Sequence, residues 1–195
     1  MNEAQLDDLI AYLKFPSVST DSTHSPDVLK CAEWLCEKMG AQGLEAQIHQ
    51  TEGHPVVVGK NRHIEGRPTV MIYGHYDVQP ADPLELWDSP PFDPRVEDGK
   101  IYARGSTDNK GQNLAHILGI GEMIAAEGDL PVNVIVLVEG EEEIGSPNLE
   151  PFLKEHKEHK EELACDIVAV SDTGMLAAGL GTFTYGLRGI TCMEL

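Results

Sequence analysis

The sequence predicts a layered α/β domain built around a largely buried, at least partly parallel sheet. Two observations carry that expectation. Short apolar runs rich in Val and Ile, among them PVVVGKN, TVMIYGHYDV, VNVIVLV and CDIVAVSD, read as strands with little solvent-facing character. Longer segments with helical spacing lie between several of them, and strands alternating with helices assemble into layers. At 195 residues the chain suits one sizeable domain rather than two.

The first helix is read in NEAQLDDLIAYLKF, where Leu6, Leu9, Ile10 and Leu13 fall at helical spacing and acids occupy the first turn. Pro16 blocks its continuation. In the second, Ser25 can cap, Pro26 takes the first helical position, and Gly40 or Gly43 ends the run. EAQIHQ, PVVVGKN and TVMIYGHYDV follow as strands, and DGKIYARG as a turn with a short strand. STDNKGQNLAHILGIGEMIAAEG reads as a helix, VNVIVLV as a strand, SPNLEPFLKEHKEHKEELA as a helix and CDIVAVSD as a strand. TFTYGLRGITCMEL is expected to be strand again, GLG at 179–181 to be a turn, and Met71 and Met123 to be core.

Acidic residues outnumber basic ones 33 to 14, a formal charge of −19. Nucleic acid and anionic membrane need a basic footprint, so neither is expected as a partner. Cations are: metal ions, or substrates carrying an amine. Cys31, Cys36, Cys165 and Cys192 form no CxxC pair, which argues against a disulfide framework or a zinc knuckle. The N-terminus resembles no signal peptide and no apolar run matches a bilayer span, so a reducing, cytoplasmic setting is expected.

Chemistry concentrates where an open α/β sheet binds ligands, beyond the carboxyl ends of its strands. TVMIY is followed by Gly74-His75-Tyr76-Asp77, VIVLV by Glu139, Glu141, Glu142 and Glu143, and DIVAV by Ser171 and Asp172. The loop ARGSTDNKG adds Asp108. Glutamates crowded at a strand end raise one another's pKa and cost stability unless a cation neutralises them. Alone, EGEEE would read as a solvated acidic loop or weak calcium site, and HxD as a surface pair. Their joint position at strand ends favours a metal site, and mixed imidazole and carboxylate donors suit zinc, manganese or cobalt better than calcium. GSTDNKG lacks the spacing of a phosphate-binding loop. His156 and His159 read as a solvated helix face, and His116 as packed within its helix rather than a ligand.

GHYDVQP, DGKIYARGSTDNKG, VEGEEEIGS and SDTG, in that order, resemble the co-catalytic dinuclear zinc peptidases. The similar branch holds carnosinase-type dipeptidases, acetylornithine deacetylase, succinyl-diaminopimelate desuccinylase and aminoacylase. GHYDVQPADPLELWDSPPFDP is most similar to the dipeptidases. The resemblance implies a three-layer αβα domain with a mixed, mostly parallel sheet. It implies two divalent ions, zinc first and manganese or cobalt next, with His75 and Asp172 on one, Glu143 on the other and Asp108 bridging. Asp77 would orient His75. Glu142 would be the general base toward a water bridging the ions, which attacks a dipeptide amide. A cis peptide at Asp108–Asn109 is also implied.

In that family a further histidine ligand and a lid domain that dimerises come later in the chain, whereas the last histidine here is His159. Residues 1–195 are therefore expected to be the N-terminal portion of a catalytic domain, with about 183–195 beginning the connection to the lid, through which a full-length relative would form a homodimer. Weak metal binding and little or no turnover are expected of this portion alone. Two rival readings remain: an amidohydrolase acting on N-acyl amino acids, and a non-catalytic module that binds cations or a protein partner.

Overall fold

The computed structural model describes residues 1–155, 163–191 and 193. Its helices are α1 (Glu3–Leu13), α2 (Ser25–Ala41), α3 (Lys110–Glu127) and α4 (Leu149–Glu155). Its strands are β1 (Glu45–His49), β2 (Val56–Lys60), β3 (Thr69–His75), β4 (Arg95–Glu97), β5 (Lys100–Tyr102), β6 (Asn133–Glu139) and β7 (Ile167–Val170). The main sheet has the order β1-β2-β6-β3-β7, and β4-β5 form a separate hairpin. β6, β3 and β7 run parallel, β2 runs against them, and β1 turns back to their direction.

Alternation along the strands builds the two cores. Val57, Ile72, Val134, Val136 and Val138 face α1, α2 and α3, where Leu13, Val28, Leu35, Leu114 and Ile117 are buried. Val56, Val58, Met71, Ile135 and Leu137 face the opposite side, packing on Phe152 of α4 and on Leu163. β6 is buried along its whole length because helices cover both faces. The result is the expected three-layer arrangement with a mixed, mostly parallel sheet.

The helices follow from local signals. Asn2 and Gln5 form a reciprocal capping box at the start of α1. α2 buries Val28, Cys31, Ala32, Leu35 and Met39, a stripe at helical spacing. Ser25 does not cap it. A 3₁₀ turn over Ser22–His24 runs straight into the helix, so Ser25 is already helical, His24 takes the cap position, and Asp21 caps the preceding turn. α3 starts only at Lys110, after a turn through residues 104–109. The Lys110 side chain is fully buried, and Nζ donates to the Phe15 and Tyr12 carbonyls at 2.8 and 3.3 Å, tying the start of α3 to the end of α1.

Three further expectations fail. TFTYGLRGITCMEL forms no strand among its described residues: Phe183 and Tyr185 are almost wholly exposed, with no core to pack on and no ladder partner. Met123 lies on the solvent side of α3 rather than in the core. β3 ends at His75, short of the strand expected to reach Val78. His156, His159 and Cys192 lie outside the described residues. Cys31, Cys36 and Cys165 are free thiols, Met71 is buried, and Gly179 sits in a turn with positive φ. Among the described residues no helix is long and apolar enough to cross a membrane.

Candidate metal centre

Parallel pairing of β3 with β6 aligns His75 opposite Glu139, so both strands finish at the same level of the sheet. The chain after β6 then turns through a 3₁₀ segment, Glu142–Ile144. β7 finishes on the other side of β3, delivering Ser171 and Asp172. Asp108 arrives from the turn before α3, and its peptide with Asn109 is cis.

These ends meet. His75 is fully buried, and its Nε2 lies 3.1 Å from Asp108 Oδ1, 3.4 Å from Asp172 Oδ2 and 4.0 Å from Glu142 Oε2. Two donor sets have their ligand atoms within 4.8 Å of one another, His75 with Glu142 and Asp172, and His75 with Asp108 and Glu143. On its other side, His75 Nδ1 is 3.1 Å from the Asp77 carbonyl and 3.3 Å from its carboxylate. In the neutral ring that suits the tautomer donating from Nδ1, which leaves the Nε2 lone pair for a cation.

Asp77 does more than face His75. Its buried carboxylate accepts from the Glu142 and Glu143 amides at 3.2 and 3.1 Å and from Ser19 Oγ at 2.7 Å. One side chain thus fixes the imidazole and the backbone of both candidate glutamates.

The four crowded glutamates divide into two kinds. Glu139 accepts from the Tyr73 hydroxyl at 2.5 Å and Ser146 Oγ at 2.8 Å. Glu141 accepts from the His54 amide at 3.0 Å and from the amide and side chain of Asn148. Both are buried and satisfied by protein donors, so they hold loops. Glu142 and Glu143 are half-buried and turn toward the imidazole, Glu143 also accepting from Gln79 Nε2 at 2.7 Å.

Burial raises the Glu142 carboxyl above its usual range; Glu143, Asp172 and Asp77 add to the rise and His75 opposes it. Burial also raises Glu143, against the Gln79 hydrogen bond, with Asp108 adding to it. For His75, burial disfavours the imidazolium, yet the hydrogen bond and charge of Asp77, then the charges of Asp172 and Glu142, lift its pKa to about 9. The protein alone therefore holds a proton among carboxylates that repel one another. A divalent cation would relieve both, and one imidazole among carboxylates is a donor set that fits zinc, manganese or cobalt.

The structure places His75, Asp77, Asp108, Glu142, Glu143 and Asp172 in one cluster. It adds residues that the sequence reading did not assign to the site. Asn109 accepts from the His75 amide at 3.3 Å and donates to Asp172 Oδ1 at 3.1 Å. Asn113 Nδ2 donates to the His75 carbonyl at 2.8 Å. His116, expected to be packed within its helix, places Nε2 2.7 Å from Ser171 Oγ. A polar stripe at i, i+4 and i+7 on α3 was the signal available for these three. Ser19 and Gln79 carry none.

Residues 71–187 match the family model described as peptidase family M20/M25/M40. The Cys-Gly metallodipeptidase of Schizosaccharomyces pombe is 36% identical over 91% of this chain and 40% of its own length. The mouse Beta-Ala-His dipeptidase is 42% identical over 63% of this chain and 25% of its own. Among solved structures, an M20 family metallo-carboxypeptidase from Sulfolobus solfataricus superposes with a TM-score of 0.80 at 39% identity, covering 90% of this chain and 38% of that one. Human carnosine dipeptidase 1 does so with a TM-score of 0.80 at 29% identity, covering 88% and 38%. The chain thus spans about two fifths or less of the length of each of these relatives.

Proposed function

The chain belongs to peptidase family M20/M25/M40, and on that premise we propose that it carries the metal-holding part of a centre that hydrolyses the amide bond of dipeptides. The convergence of His75, Asp108, Glu142, Glu143 and Asp172 from four separate segments carries this reading. Two divalent ions, zinc the expected one, would be held here: His75 and Asp172 would serve one and Glu143 the other, with Asp108 placed to contribute. When bound, such ions supply Lewis acidity toward an amide carbonyl and make a water easier to deprotonate.

The remaining work belongs to the chain. Asp77 holds the His75 ring and the Glu142 and Glu143 amides in register. Glu142, with its pKa raised by burial and its neighbours, takes a proton from the attacking water and passes it to the leaving amine. Dipeptides are the preferred substrate class because the named relatives above that act on small substrates are dipeptidases. Among the described residues Asp108 and Glu143 would serve the second ion, and the Asp108 side chain is 62% exposed. Turnover by these 195 residues alone is accordingly weak or absent, since hydrolysis needs both ions and a dry site, and Asp108 lies open to solvent.

Metal content decides the matter. The chain in equilibrium dialysis against Zn²⁺ takes up zinc by elemental analysis, and His75→Ala does not. Glu142→Gln keeps the metal while any hydrolysis of Cys-Gly or β-Ala-His disappears. Zinc-free wild-type protein, or preferential cleavage of N-acetyl amino acids over dipeptides, would refute the proposal.

A further inference from the structure

The ladder between β3 and β7 stops at Tyr73 opposite Val170. His75 and Asp172 each lie two residues beyond its end, yet His75 Nε2 and Asp172 Oδ2 are 3.4 Å apart. No ladder bond sets that separation, and β7 itself is weakly packed, with Ile167, Val168 and Val170 all more than half exposed. Something else must hold the 171–172 segment against the end of β3.

The polar stripe of α3 meets both strand ends. Asn109 and Asn113 grip the His75 backbone, and Asn109 also donates to Asp172. Gly74 permits this approach: a Cβ there would lie 2.6 Å from Asn109 Oδ1 and 3.2 Å from Asn113 Cβ. His116 is two turns into the helix, and its Nε2 contacts Ser171 Oγ, on the residue just before Asp172. One rigid helix therefore spans the gap that the sheet leaves open.

We propose that His116 is a positioning residue for metal capture, acting through Ser171 to hold Asp172 at ligating distance from His75. This deepens the metallopeptidase reading above and rests on it. The imidazole supplies a hydrogen-bond partner to a strand end whose next residue is a ligand, the outer-shell arrangement that commonly tunes metal affinity. It is not itself a ligand: its Nε2 is engaged by Ser171, and it belongs to neither donor set.

The test uses the full 195-residue chain and measures metal, not turnover. Zn²⁺ affinity is read by competition with a chromophoric chelator, and coordination geometry by the visible spectrum of the Co²⁺ form. His116→Ala and Ser171→Ala should each weaken Zn²⁺ by about 10–100-fold and alter the Co²⁺ bands. The double variant should be no worse than either single one. His116→Gln, whose amide reaches the same position, should restore most of the affinity and the wild-type spectrum. The metal-free melting temperature should fall by no more than about 2–4 °C, the loss of one hydrogen bond, in any of the four variants. Wild-type affinity and spectrum in His116→Ala would overturn the inference, as would additive losses or a melting temperature that falls in step with affinity. Failure of the wild-type chain to bind either metal would instead overturn the metallopeptidase reading on which it rests.

Discussion

Replacing Asp77 by Asn removes one charge and exchanges one acceptor oxygen for a donor, at a fully buried position. In the native arrangement one carboxylate oxygen accepts from the Glu142 amide and faces His75 Nδ1, while the other accepts from the Glu143 amide and Ser19 Oγ. Ser19 can rotate its hydroxyl to accept, but a backbone N–H cannot. Whichever way the new amide turns, its NH₂ meets the Glu142 or the Glu143 amide, and one backbone donor is orphaned. An unsatisfied buried donor costs about 1–3 kcal/mol, and the surviving bonds weaken from charge-assisted to neutral. The sum is about 3 kcal/mol, a large share of the roughly 5–15 kcal/mol that holds a typical domain. Urea unfolding of the metal-free protein measures it, with Ser19→Ala as a control that loses one hydrogen bond and about 1 kcal/mol. A loss below about 1 kcal/mol for Asp77→Asn would mean that the carboxylate does not anchor the two amides, and would refute the reasoning.

The pH dependence of the metal-free chain has a definite sign. With the His75 pKa raised to about 9, its contribution is fully present below about 6.5 and is lost as pH climbs through 9, up to about 3 kcal/mol. Burial raises Glu139, Glu142 and Glu143, so they too lose stability as pH rises above about 4.5. Calorimetry should therefore find a higher melting temperature at pH 6 than at pH 9, and saturating Zn²⁺ should flatten or reverse that slope. Gly74→Ala drives a methyl against Asn109 and Asn113 and should destabilise by about 1–3 kcal/mol, with weakened Zn²⁺ binding, both measurable on one sample by chemical unfolding and chelator competition. Glu141→Ala orphans the His54 and Asn148 amides and should cost about 2–4 kcal/mol, whereas Glu143→Ala should leave metal-free stability within about 1 kcal/mol and abolish binding of a second zinc.

The main strands were legible because their side chains face neighbours on both sides of a sheet, and only apolar, β-branched residues satisfy that environment over consecutive positions. α1 and α2 were legible for the complementary reason, their buried stripes recurring at helical spacing. The 3₁₀ turn before α2 and the hairpin of β4 and β5 were less so, since a few residues of turn chemistry admit several local solutions. TFTYGLRGITCMEL misled because an apolar, β-prone stretch states only that it could pair, and the described residues offer it no partner.

The amino-acid order by itself determined that imidazole and carboxylates would emerge at the carboxyl ends of β3, β6 and β7, because strand ends are marked locally by where apolar runs stop. Apart from the family resemblance, which singled out Glu142 and Glu143, only the tertiary structure decided which acids face the imidazole and which brace loops. Glu139, Glu141, Glu142 and Glu143 look alike in the sequence, and partners as distant as Tyr73, His54 and Asp77 separate them. The same holds for Asn109, Asn113 and His116, whose targets are strand ends more than 30 residues away. Local periodicity records what a segment must bury. Which donor meets which acceptor is fixed by strand order and by the seating of one helix, and neither is encoded within a short stretch of chain.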